Sequence, residues 1–111
     1  MSFLKKIQTN QLKVVAESLP EPFGILHFRE FSAAANLAIS DFMEFGSKDE
    51  KPFVYMQCAM IAQGLCDVDG NLELELTEEC LAAIHNSLTL SQIEELYLIA
   101  RRHSGNGAKD G

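Results

Sequence analysis

Hydrophobic runs long enough to cross a bilayer are absent from this 111-residue sequence. Residues 52–66 carry no Asp, Glu, Lys or Arg, but a transmembrane helix needs about 20 apolar residues, and this stretch contains Gln57 and Gln63. The first residues place their lysines after Phe3 and Leu4 and have no hydrophobic core segment, so they are not expected to act as a signal peptide. No membrane partner is predicted.

Cysteine is scarce and irregularly spaced, since only Cys58, Cys66 and Cys80 occur. Cys58 and Cys80 have apolar neighbours, which is typical of small buried residues in a reducing compartment. A zinc site built from Cys66, Cys80 and His85 would lack a fourth ligand and the close ligand pairs of such sites. The sequence therefore predicts no metal.

Catalytic motifs are also missing: there is no G-x-S-x-G elbow, no P-loop and no H-E-x-x-H. The three histidines lie far apart, on three different predicted elements. A cysteine nucleophile paired with His85 stays open, although Cys80 lies five residues away and would point to another face of the same helix. We expect no catalytic residue, no cofactor and no enzyme activity.

No Lys or Arg occurs between residues 52 and 100. The eight Asp and Glu residues of this segment give it a net charge of −8. The rest of the chain has eight acids and nine bases. An acidic surface repels phosphate backbones, so nucleic-acid binding is not expected. A solvated surface explains the charge most simply. The alternative is a surface that steers a basic partner or suppresses premature self-association.

The remaining pattern predicts a mainly α fold, a compact bundle of about four helices with a small N-terminal β-hairpin. The chain is expected to form one domain, residues 1–111, with the hairpin at 13–31, the helical part at 32–104 and a frayed tail at 105–111. The predicted elements are a short helix at 3–12, strands at 13–17 and 25–31, and helices at 33–45, 52–66, 78–86 and from 90 onward.

Two of these helices have distinctive signatures. The uncharged helix at 52–66 has two overlapping apolar stripes, so it is predicted to be the central helix of the core. The last helix begins with a T-x-x-Q capping box at Thr89 and Gln92, and Leu88 and Ile93 occupy the positions of a hydrophobic staple.

The turn that follows the uncharged helix, Asp67-Val68-Asp69-Gly70-Asn71, has the composition of a calcium-binding loop. With Gly70 at loop position 6, however, positions 1 and 12 fall on Leu65 and Leu76, where carboxylate ligands are required. Asp, Asn and Gly are equally typical of a simple turn. We interpret the segment as a turn.

Four aromatic residues flank the segment 46–51: Phe42, Phe45, Phe53 and Tyr55. They either close the core or form an exposed apolar rim that binds a partner. They are the candidate partner-binding residues.

Three segments carry a resemblance to a known family: FREFSAAA at 28–35, LCDVDGNLEL at 65–74 and LSQIEELYLIARRHSGNG at 90–107. Together they resemble the tail assembly chaperones of long-tailed (siphovirus) bacteriophages and prophages. In that family a strand ending in Arg-Glu-x-Ser leads into a helix. An apolar helix then ends in an Asp-x-Asp-Gly-Asn turn, and the last helix ends near a glycine. The resemblance covers about residues 20 to 107.

The resemblance implies a non-enzymatic role in tail morphogenesis. Such proteins bind the tape measure protein, keep it soluble and help to recruit tail tube protein. They act in the host cell cytoplasm and are absent from the mature virion. A longer form made by ribosomal frameshifting is a further implied partner. We also expect self-association, with the first two main helices as its hypothetical site. The alternatives are an acidic DNA-mimic inhibitor and a structural virion subunit.

Overall fold

A three-stranded antiparallel sheet covers one end of the helical part. The computed structural model describes residues 2–8, 12–45 and 53–104. Strands β1 (Val14–Leu19) and β2 (Gly24–Arg29) form the predicted hairpin, and Gly24 at its turn has a φ of 65°. Strand β3 (Leu65–Cys66) pairs with the other edge of β2, so the strand order is β1-β2-β3.

The two faces of the sheet differ in environment, as alternation along a strand requires. Phe28 of β2 is fully buried on the inner face, which the helices cover. Val15 lies opposite Phe28 in the β1–β2 register. Ile25, with the opposite parity on β2, is 68% exposed and belongs to the outer face.

Five helices account for most of the remaining described residues, which confirms the mainly α fold with an N-terminal hairpin. They are α1 (Phe3–Gln8), α2 (Ala33–Phe45), α3 (Phe53–Gly64), α4 (Glu78–Ser87) and α5 (Leu90–Arg102). The first helix was expected to reach residue 12, but Leu12 is not helical. Within the described part of the chain, no helix is long and apolar enough to span a membrane.

The uncharged stretch is not helical over its full length, and this corrects the prediction of a helix at 52–66. Helix α3 ends at Gly64, and Leu65 and Cys66 extend to pair with Phe28 and His27 of β2. An apolar dipeptide buried beside a sheet edge satisfies its backbone groups better in a strand than in a frayed helical turn.

Helix α3 occupies the centre of the core, as predicted from its lack of charge. Its residues 58–62 and Gly64 are all buried. It packs against α2, α4 and α5, which bury most of its second half. The other buried hydrophobic residues come from both strands of the hairpin, from the link between β2 and α2, from helices α2, α4 and α5, and from β3 (Leu19, Phe28, Phe31, Ala35, Ile39, Leu81, Ile93, Leu96, Tyr97, Ile99, Ala100 and Cys66).

The end of α5 is attached to the sheet. His103 Nε2 lies 3.0 Å from Glu17 Oε2 of β1, and Arg102 lies 3.9 Å from the other carboxylate oxygen. The Phe31 N–H donates to the His103 carbonyl at 3.2 Å. These contacts hold the last helix over the inner face of the sheet.

The predicted capping box of α5 is confirmed. The Gln92 N–H donates to Thr89 Oγ1 at 3.1 Å, and the Thr89 N–H donates to Gln92 Oε1 at 2.9 Å. Thr77 caps α4 in the same way, through its hydroxyl and the Cys80 N–H.

Replacing Thr89 with alanine is expected to lower the free energy of unfolding by about 1 kcal/mol, because a helix N–H then loses its acceptor. Urea denaturation followed by circular dichroism measures this. Thr89→Ser, which keeps the hydroxyl, is the matched control and should stay close to wild type. Equal losses for both variants would contradict the role of the hydroxyl.

Candidate partner-binding surface

An apolar groove runs between α2 and α3 and has a volume of about 600 Å³. Ile39 and Met60 form its floor and are 8% and 7% exposed. Half-buried methionines line its walls. The described residues that line it are Asn36, Ile39, Ser40, Met43, Glu44, Met56 and Met60. We name it the methionine groove.

The groove follows directly from helical spacing. Ile39 and Met43 lie four residues apart on α2, and Met56 and Met60 lie four apart on α3, so each pair lies on one face of its helix. Methionine has a flexible, polarisable side chain and is common on surfaces that accept varied apolar partners. The arrangement can hold an apolar side chain or helix face, but it has few groups for orienting a small molecule.

Two of the four candidate aromatic residues, Phe53 and Tyr55, contact different helices. Phe53 is 63% exposed and contacts the ring of Tyr97 on α5 edge to face, with centroids 6.2 Å apart. Tyr55 is half-buried and contacts the ring of His85 on α4 at 5.6 Å. Phe53 and Tyr55 therefore face different neighbouring helices.

The other two aromatics lie on α2. Phe42 is half-buried and packs against the core. The backbone of Phe45 ends α2, but its side chain lies outside the described residues. None of the described aromatics lines the methionine groove. Sequence reasoning missed the groove, although methionines four residues apart on an uncharged helix were a usable signal.

The acidic segment forms a turn, which confirms the turn interpretation. Asp67 Oδ1 accepts the N–H groups of Asp69 and Asn71, both at 2.9 Å, and Gly70 takes a φ of 89°. The hydrogen bond from the Asn71 N–H is the main reason why the pKa of Asp67 lies below its usual value. The carboxylate is therefore ionised at neutral pH, and its oxygens accept hydrogen bonds from within the turn.

This turn folds over the outer face of the sheet. Arg29 Nη1 of β2 donates to the Gly70 carbonyl at 3.1 Å. A Cβ atom on Gly70 would lie 3.2 Å from Val14 Cγ2 of β1, so the turn approaches the sheet closely. Cys66 and Leu72 form a bridge at the base of the turn.

The extended segment after the turn separates acids from leucines. Glu73 and Glu75 are exposed, whereas Leu74 and Leu76 pack against the core. The alternation attaches the segment to the domain and leaves its carboxylates in solvent.

Two of the three thiols, those of Cys58 and Cys66, lie in buried surroundings that disfavour the thiolate. Burial raises the pKa of Cys58 to about 11, and burial also raises the pKa of Cys66. Both groups are therefore protonated at neutral pH, whereas a nucleophilic cysteine needs its thiolate. Within residues 2–8, 12–45 and 53–104, no three His, Cys, Asp or Glu side chains are grouped to hold a metal ion.

Comparison with known proteins assigns the architecture. No protein-family profile matches the sequence, and no curated protein matches it. The fold, however, is that of a bacteriophage tail assembly chaperone, as the resemblance in the sequence predicted. The chain is similar to the solved structure of the tail assembly chaperone of bacteriophage HK97. The TM-score is 0.61, the identity is 18%, and the match covers 90% of this chain and 95% of that chain.

Proposed function

We propose that this protein is a non-enzymatic tail assembly chaperone of a long-tailed bacteriophage or prophage. The observation that carries the proposal is the extent of the fold likeness, which includes nearly all of both chains. The match covers 90% of this chain and 95% of the HK97 chaperone, so the likeness concerns the whole fold rather than one motif. The raised pKa values of Cys58 and Cys66 are consistent with a binding role, because a nucleophilic cysteine needs its thiolate.

The client that we propose is the tape measure protein. The chaperone would bind it, keep it soluble and help to recruit tail tube protein, working in the host cell cytoplasm and leaving before the virion is complete. A longer frameshifted form of the same chain would be a further partner. A long helical client offers many similar apolar stripes, which suits several copies of a small chaperone that each bind weakly.

The methionine groove is the surface that we assign to the client. A helix that presents apolar side chains one turn apart would place them against Met43 and Met56 and cover the floor at Ile39. Phe53, which is exposed beside this helix pair, would widen the apolar contact. Because methionine adapts its rotamers, one groove can accept successive stripes with different side chains.

The test is co-expression with the tape measure protein of the same genome, followed by affinity capture and light scattering. A soluble complex with several copies of this protein per client is expected. A client that stays insoluble while this protein elutes alone would contradict the proposal.

A double variant with one substitution on α2 and one on α3 tests the groove itself. Met43→Ser combined with Met56→Ser is expected to weaken client binding at least about tenfold, since each substitution removes apolar contact area. Leu37→Ser is the matched control, because Leu37 lies on α2, is 62% exposed and does not line the groove. Binding should be measured by titration with a soluble client fragment. Equal affinities for the double variant and the control would place the client elsewhere.

The two other functions give different results in simple assays. A structural virion subunit would be found in purified particles by mass spectrometry, whereas a chaperone would be absent. A DNA mimic would compete with DNA for a DNA-binding protein, and its binding would depend on the exposed acids at residues 67–79 rather than on the methionines.

A further inference from the structure

The two walls of the methionine groove differ in chemistry. Met56 and Met60 form the α3 wall, which is apolar. Asn36, Ser40 and Glu44 line the groove from α2, and they lie four residues apart. That spacing places the three polar side chains along one side of α2, and we name them the polar rim. An apolar floor with a polar rim is complementary to an amphipathic helix, whose apolar stripe is flanked by polar residues.

The groove has a negative charge at one end. Glu44 is exposed, and it is the one charged residue among the described residues that line the groove. Helices α2 and α3 together contain two acids, Asp41 and Glu44, and no Lys, Arg or His. A base on the occupant of the groove would therefore meet a carboxylate and no competing base from either helix.

The length of the polar rim sets how much of a client helix fits. Asn36 and Glu44 are eight residues apart, so the rim is about 12 Å long at 1.5 Å of rise per residue, or about two helical turns. Two turns of a client helix present a pair of apolar side chains that are one turn apart. A long side chain one further turn along the client can reach the end of the rim.

We propose that Glu44 selects client helices that carry a Lys or Arg one turn away from a pair of apolar side chains. The apolar pair would cover Ile39 and the methionines, and the base would form an ion pair with Glu44. This inference rests on the client role proposed above for the groove, and it adds the charge pattern that a bound segment must carry.

The same ion pair gives the bound helix a direction. Glu44 lies at one end of the polar rim, whereas the other end carries the uncharged Asn36. A client helix that lay in the groove in reverse would place its base beside Asn36 and lose the ion pair. An exposed ion pair changes affinity by at most about fivefold, so apolar contact supplies most of the affinity and Glu44 supplies the choice of segment and direction.

Binding of overlapping synthetic peptides that cover the tape measure protein of the same genome tests the selection. Fluorescence anisotropy titrations should show that the bound peptides contain an apolar pair with a Lys or Arg one turn away, and that the unbound peptides mostly lack this pattern. Bound peptides in which the pattern is no more frequent than in unbound ones would overturn the proposal.

Charge exchange with one bound peptide tests the pairing. Glu44→Lys should weaken binding about threefold to tenfold, because a repulsion of similar size replaces the attraction. A peptide with Glu in place of its base should bind this variant better than it binds wild type. Asp41→Lys is the matched control, since Asp41 is exposed on α2 and does not line the groove. Equal losses for Glu44→Lys and Asp41→Lys would overturn the pairing.

The Met43→Ser/Met56→Ser variant separates this proposal from the chaperone role. A peptide that loses affinity for this variant but binds Glu44→Lys like wild type would overturn the selection by Glu44 and leave the groove as the client site. If no peptide of the client binds wild type, both the client role and the selection are wrong.

Paramagnetic labelling of the bound peptide tests the direction. A nitroxide at the peptide end nearer the base should broaden the amide NMR signals around Glu44 more than those around Asn36, and a nitroxide at the other end should do the opposite. Equal broadening at both ends of the polar rim would mean that the helix binds in both directions, and would overturn the assigned direction.

Discussion

Replacing Phe28 with alanine is expected to lower the free energy of unfolding by about 3–5 kcal/mol. The side chain is fully buried on the inner face of the central strand, and its Cδ2 atom lies 3.6 Å from where a Cβ atom on Gly64 would be. The substitution removes the ring from the junction of the sheet with α3, where rigid elements on both sides limit how far the cavity can collapse. Urea denaturation, monitored by circular dichroism, measures the loss.

A matched control lies on the same strand. Ile25→Ala removes an apolar side chain from the outer face, where Ile25 is 68% exposed, and should change the stability by no more than about 0.5 kcal/mol. A Phe28→Ala loss as small as that of the control would mean that the inner face is loosely packed.

Replacing Gly64 with valine is expected to lower the free energy of unfolding by about 2–3 kcal/mol through overpacking. A Cβ atom at this position would lie 3.0 Å from Phe31 Cε1 and 3.4 Å from Ala100 Cβ, and the valine methyl groups would extend further. Gly64 ends α3 where the chain turns into β3, so the backbone cannot move away without disturbing the sheet. Thermal and urea unfolding measure the effect.

A double-mutant cycle identifies the cause. In a Phe31→Leu background the closest ring atom is gone. Gly64→Val should therefore lower the free energy of unfolding by less in this background than it does in wild type. An equal decrease in the free energy of unfolding in both backgrounds would mean that the valine clashes with the backbone or with Ala100, and not with the Phe31 ring.

Local signals explain which elements were predictable. Ser32 accepts the Ala35 N–H at 3.0 Å and starts α2 where its cap was expected, and the capping box at Thr89 starts α5. These signals depend only on residues a few positions apart. The Asp67 turn was predictable for the same reason, because its hydrogen bonds lie within five consecutive residues.

Features that depend on distant partners were missed. Strand β3 exists because Leu65 meets Phe28, which lies far away in the sequence, and two apolar residues after a glycine carry no strand pattern of their own. The ring contacts of Phe53 and Tyr55 also depend on distant partners. Phe53 and Tyr55 are two positions apart on a helix, so they point in different directions and meet different helices.

The attachment of α5 to β1 bears on the order in which the protein folds during synthesis. His103 meets Glu17 across 86 positions, and α5 supplies Ile93, Leu96 and Tyr97 to the core. The ribosome therefore completes the hairpin and α3 well before the residues that cover them exist. Until α5 emerges, the nascent chain carries an uncharged helix with an open side, so the domain closes in one late step rather than element by element.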